Sequence, residues 1–279
     1  MTENFAELTA VEKLAAGQYA GEIAQGWDIE GVPNGGYVLA IAARAMAESV
    51  GRPPLSITAH YLAPTHPGPC SVQVEPVRVG KRLAVLAGSL QQDGREAFRV
   101  LGTFGASSGS DPLLVDGEPP TLPPYDDCIV GPSSVPATSG QAASGMHLDW
   151  GKQLPAIYDR LAVRWRPGDD GFGRGRPTGR AEIAGWFAFA DGSRTDAIGL
   201  LLVADAFAPS VFNVGIGPGW VPTLELTVHI RAVPAPGPLR CVFRTHYVQG
   251  GMLSEDSEIW DEAGVLVAQS RQLALLPRT

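Results

Sequence analysis

One carboxylate stands out in the 279-residue sequence. Asp205 lies within LLLVADAFAP, an apolar run that reads as the interior of a helix. An ionised side chain there loses hydration and must recover it from hydrogen-bond donors. Two readings stand side by side: a carboxylate buried for chemical work, or one near a helix end that reaches solvent or caps the next loop. His60 and His229 occupy the same place in two copies of one strand, which favours a structural role. The loop GFGRGRPTGR, 171–180, lacks the GK[ST] ending of a P-loop and does not lead from a strand into a helix, so neither nucleotide-loop motif is met. Its Arg174, Arg176 and Arg180 could meet the phosphates of a ligand, although a solvated loop is the better account of any one of them. Trp150, Trp165, Trp186, Trp220 and Trp260 read as core or interface aromatics.

The elements that must position Asp205 are written twice. PPLSITAHYLAPTHPGP, 53–69, returns as PTLELTVHIRAVPAPGP, 222–238, with Thr58 on Thr227, His60 on His229 and Pro67-Gly68-Pro69 on Pro236-Gly237-Pro238. Upstream, GEIAQGW around Trp27 returns as AEIAGW around Trp186. The offset is 160 positions upstream and 169 downstream, so the second copy carries an insertion of roughly nine residues before Thr223. In the first copy, Tyr37–Val50 is apolar nearly all round and predicts a buried helix, ended by Gly51 and Pro53-Pro54. Strands are expected at 55–62, 71–79, 83–91 and 97–104. In the second copy the matching helix is expected over Asp196–Phe207, capped by Thr195, with strands at 181–190, 224–231, 239–248, 255–261 and 265–276. Strand alternation groups Thr223 with Glu225 and Thr227, so a Thr223 that faces the helix requires a bend or bulge at the strand start.

Composition excludes several classes. The formal charge of −8 argues against a general nucleic-acid or anionic-membrane surface. No stretch is long and apolar enough for a membrane span, and the acidic N-terminus lacks a signal-peptide pattern, so a cytoplasmic location is expected. Cys70, Cys128 and Cys241 are widely spaced and odd in number, which fits small buried side chains better than disulfides or a zinc site. The Ser/Gly/Pro-rich stretch 106–145 reads as a linker between an N-terminal repeat, 1–105, and a C-terminal repeat, 146–279.

Three stretches carry a family resemblance: VPNGGYVLAIAARAM, PTLELTVHIR and VLVAQSRQLALLPR. They resemble, respectively, the Gly-Gly helix start, the strand after the second helix and the closing strand of the acyl-CoA thioesterase II family. The resemblance implies an α+β double hotdog, two fused repeats each with an antiparallel sheet wrapped around a long buried helix. It also implies a water-activating triad in the second repeat, carried here by Asp205, Thr223 and Gln272. The equivalent first-copy positions, Ala45, Pro54 and Thr103 or its neighbour, have lost it, so one active site is expected. Backbone amides at Gly35-Gly36-Tyr37 are the expected oxyanion donors.

The expected function is hydrolysis of an acyl-CoA to a free acid and coenzyme A, without cofactor or metal, in a homodimer or larger homo-oligomer. A non-catalytic acyl-CoA or lipid binder is the rival; a hotdog hydratase is a weaker one, because no matching His/Asp motif is present.

Overall fold

In a computed structural model, residues 4–106, 112–131, 155–217 and 219–277 are described. Trp150 and the expected-linker residues 107–111 and 132–145 lie outside them. The described chain starts with a one-turn helix, α1 (Phe5–Leu8), whose N-terminal end is closed by a reciprocal Asn4/Glu7 capping box. The hairpin β1 (Val11–Ala15) and β2 (Gln18–Ile23) follows, then the two-residue strands β3 (Asp28–Ile29) and β4 (Val32–Pro33).

Helix α2 (Gly35–Val50) begins where the sequence supplies a cap: the Asn34 side chain accepts the amide of Tyr37. Its Tyr37–Ala43 face, Ala45 and Met46 are buried, and Gly51 ends it in the left-handed conformation at φ 63°. Four antiparallel strands come next: β5 (Pro54–Tyr61), β6 (Gly68–Val79), β7 (Leu83–Gln92) and β8 (Arg95–Gly105). The expected linker is not wholly free of structure, since β9 (Ile129–Val130) pairs with β10 (Arg164–Trp165) at one end of the sheet.

The second half contains β11 (Glu182–Phe187), α3 (Gly199–Val203), β12 (Thr223–Ile230), β13 (Leu239–Gln249), β14 (Met252–Trp260) and β15 (Leu266–Leu275). All strands except β3 and β4 form one 13-stranded sheet. From its middle outward the order is β5-β8-β7-β6-β2 on one side and β12-β15-β14-β13-β11 on the other, the same connectivity executed twice. The seam lies where the sequence repeats. Thr58 pairs with Thr227, 169 residues apart, and their hydroxyls are 2.9 Å apart. Around them the partners exchange: His60 faces Glu225, and Ser56 faces His229. Both histidines are exposed.

One expectation fails. Among the described residues the second repeat has no long helix: α3 covers five residues rather than Asp196–Phe207, its N-cap position is Ile198, and the side chain that bonds its first amide is Asp196, not Thr195. The Asp196 carboxylate takes the Gly199 amide at 2.6 Å, and its carbonyl takes Leu200. At the other end the Asp205 amide bonds to Leu202 three residues back, and Pro209 can neither donate nor follow a helical residue easily. An insertion then coils as a 3-10 turn, Ser210–Val214, whose first four residues are buried. All three cysteines are free and buried. No helix among the described residues is long and apolar enough to cross a membrane.

Candidate active site

Asp205 is where the two halves meet. Helix α2 packs against α3 so closely that a side chain at Gly36 would lie 2.5 Å from the Leu201 carbonyl oxygen, and only glycine fits. That approach aims the N-terminus of α2 at the carboxylate. Oδ2 of Asp205 accepts the Gly36 amide at 2.9 Å and Nδ2 of Asn34 at 3.0 Å, and Asn34 also holds the Asp205 carbonyl at 2.8 Å. One side chain thus caps α2 and clamps the acid. The two sequence readings of Asp205 merge: it sits just past a helix end, half-buried, and it is held there by donors from the other repeat.

Burial raises the Asp205 carboxyl to about 6, and the Gly36 amide, the Asn34 amide group and the Gly35 amide oppose that rise. The positive end of α2 acts in the same direction as these donors. Asp205 therefore loses its proton near neutrality while remaining a better base than an exposed aspartate.

Thr223 and Gln272 line the same cavity, of about 910 Å³, as Asp205. The bulge that the strand alternation requires is present: β12 shifts register against β15 between Thr223 and Glu225. Thr223 consequently turns inward, and its hydroxyl accepts a close hydrogen bond from Nε2 of Gln272. Among the described residues no hydrogen bond joins Asp205 to this pair, so acid and pair face one cavity as separate groups.

The expected oxyanion amides are otherwise engaged. Gly36 donates to Asp205, Gly35 lowers the pKa of the same carboxyl, and the Tyr37 amide is held by Asn34. Arg174 pairs with Asp170, and none of Arg174, Arg176 and Arg180 is among the residues that line the cavity. Trp220 is, and it is exposed at the mouth; Trp165 and Trp260 are core, and Trp186 donates its ring N–H to the Pro123 carbonyl.

Four participants escaped the sequence reading. Asn34 was legible as an Asn immediately before a helix start. Tyr61 follows His60 on the inward side of β5; its hydroxyl is buried without a partner beside Gly35, and burial and Asp205 push its pKa well up. Glu255 shares the inner face of β14 with Leu253, Ser257 and Ile259, where a carboxylate breaks the apolar alternation. Ser210 comes from the insertion and donates to Glu255. Among the described residues no group of three or more His, Cys, Asp or Glu side chains is placed to hold a metal ion.

Known proteins match the chain as a whole. A family model for the acyl-CoA thioesterase N-terminal domain matches residues 23–105, and one for the acyl-CoA thioesterase C-terminal domain matches residues 132–276. The chain is similar to a Thermobifida fusca protein solved as a candidate thioesterase II, at 26% identity and TM-score 0.85, with 98% of this chain and 97% of that one covered. An Alicyclobacillus acidocaldarius protein with a hot dog fold aligns over 100% of both chains at 22% identity and TM-score 0.81. An uncharacterised protein of Mycobacterium tuberculosis is 28% identical over 93% of this chain and 91% of its own length. The fold is the hotdog fold. The chain belongs to the acyl-CoA thioesterase II-like family.

Proposed function

We propose that this protein hydrolyses an acyl-CoA thioester to a free acid and coenzyme A, with Asp205 as the base. The observation that carries the reading is a carboxylate clamped at a helix N-terminus on the wall of a cavity that it shares with a hydrogen-bonded Thr223–Gln272 pair. A water between them gives a proton to Asp205 as its oxygen attacks the thioester carbon. The tetrahedral intermediate then collapses, the C–S bond breaks, and the proton held on Asp205 neutralises the departing thiolate. Atoms balance as water plus thioester giving acid plus thiol.

Thr223 and Gln272 hold the water or the carbonyl oxygen. Gln272 has a second amide hydrogen beyond the one given to Thr223, and Thr223 retains its hydroxyl hydrogen. These side chains take over the oxyanion role that the α2 amides, committed to the Asp205 charge, do not supply. The exposed mouth residues Glu30, Gly31 and Trp220 leave the nucleotide end of coenzyme A outside the cavity. We assign the three loop arginines no part in the site. Self-association is also expected, because Val77, Val79, Leu83 and Leu101 are exposed on neighbouring strands β6, β7 and β8.

The test is thiol release from short, medium and long acyl-CoAs. Hydrolysis of at least one supports the reading. Tight binding of acyl-CoA with no release from any would replace it with the non-catalytic binder.

A further inference from the structure

The buried part of the cavity wall contains a carboxyl group for which the hydrolytic mechanism has no use. Glu255 is only 6% exposed and lines the cavity with Phe207, Phe212 and Phe243, themselves buried. The exposed residues of the cavity wall, Glu30, Gly31, Leu62, Pro64 and Trp220, mark its open side. A substrate whose nucleotide stays outside therefore brings its acyl group to Glu255.

The protein satisfies only half of this group. The Ser210 amide at 2.6 Å, the Ser210 hydroxyl at 2.5 Å and the Thr245 hydroxyl at 3.4 Å all converge on one oxygen, Oε2. No hydrogen bond among the described residues reaches Oε1. A carboxyl in an aromatic wall with one oxygen unpartnered costs stability unless something in the cavity answers it. The residues that build this arrangement come from three elements: Ser210 from the insertion peculiar to the second repeat, Thr245 from β13 and Glu255 from β14. Cross-strand pairing sets Glu255 directly opposite both Thr245 and Gln272, so the polar line runs on from the reacting centre into the acyl pocket.

We infer that Glu255 is a specificity residue whose Oε1 recognises a hydroxyl group on the acyl chain, making hydroxyacyl-CoA thioesters the preferred substrate class. The inference rests on the hydrolase reading above. A hydroxyl suits the site whatever the proton count, since it donates to a carboxylate and accepts from a carboxylic acid. Plain alkyl chains would leave Oε1 buried against methylene groups, and sites built to bond a substrate hydroxyl discriminate strongly against analogues that lack it.

The experiment compares kcat/KM for plain acyl-CoAs of short, medium and long chain with the same thioesters hydroxylated at the β, δ and ω carbons. The parent is expected to favour one hydroxylated series by at least about 10-fold. Glu255→Gln, which keeps an acceptor and a donor in place, should retain most of that preference, and Glu255→Leu should abolish it while still turning over the plain series. If Glu255→Leu fails to fold, the parent preference and its retention in Glu255→Gln carry the test. Equal turnover of plain and hydroxylated thioesters by the parent overturns the inference and leaves the hydrolase reading standing, as does a preference that survives in a folded Glu255→Leu. No thiol release from any thioester overturns the hydrolase reading, and this inference with it.

Discussion

Asn34 does two jobs with one amide, and the residue-scale predictions begin there. Its Oδ1 caps α2 and its Nδ2 clamps Asp205, so Asn34→Ala removes a helix cap worth about 1 kcal/mol and a donor that holds the carboxylate ionised. The hydrolytic activity of the parent should rise with pH through about 6, where Asp205 loses its proton, and Asn34→Ala should move that acid limb upward. A profile whose acid limb is unchanged would separate Asn34 from the base. Glu255 offers a check through stability. Burial raises its carboxyl to about 7 from an ordinary 4.5, so its favourable term is full below about 4.5 and is lost as pH rises through 7. The melting temperature of the parent should therefore fall across that window, and Glu255→Gln should flatten part of the fall. Tyr61→Phe removes a buried hydroxyl that has no partner, so it should melt no lower than the parent. Of these residues, Asn34 and Glu255 were readable as a cap signal and a break in strand alternation. Tyr61 was not, because its meaning depends on Gly35 and Asp205 converging from distant parts of the chain.

At the scale of elements, the insertion and the bulge matter most. The offset between repeats changes from 160 to 169 across the second helix, and the extra residues form the wall that brings Ser210 to Glu255 and Phe212 to the cavity. Strands β5–β8 and β11–β15 were legible to within a few residues, because alternation and turn residues are local, whereas the hairpin β1–β2 and the two-residue strands β3, β4, β9 and β10 were not expected. The second helix was not legible. Ala197–Ala208 is apolar except for Asp205, so nothing in its pattern distinguishes a long helix from a short one followed by a buried turn. What shortens it is Pro209 together with the capture of Asp205 by the other repeat. Bulging at Thr223 was required by the alternation once Thr223 was placed in the site, and it is present. The contact between helices gives a further test: Gly36→Ala would set its Cβ 2.5 Å from the Leu201 carbonyl oxygen, inside a backbone contact that cannot yield cheaply. A loss of about 1–3 kcal/mol in stability is expected, measured by denaturant unfolding, and an unchanged midpoint would contradict the close packing of α2 on α3.

For the whole molecule, the seam between β5 and β12 decides how the protein behaves. One sheet runs across it, and Thr58 bonds to its own repeat partner Thr227, so neither half owns a complete sheet edge there. The protein should unfold in one calorimetric transition with matching van't Hoff and calorimetric enthalpies, whereas two resolved transitions would show halves that fold independently. The candidate site follows the same logic, since its carboxylate comes from the second repeat and the donors to it from the first. The most direct measurement is thiol release by Asp205→Asn, with acyl-CoA binding and melting temperature recorded beside the parent. Loss of about 10²–10⁴-fold in kcat with binding and fold retained is the predicted result. Turnover within about threefold of the parent would contradict the assignment of Asp205 as the base that activates water.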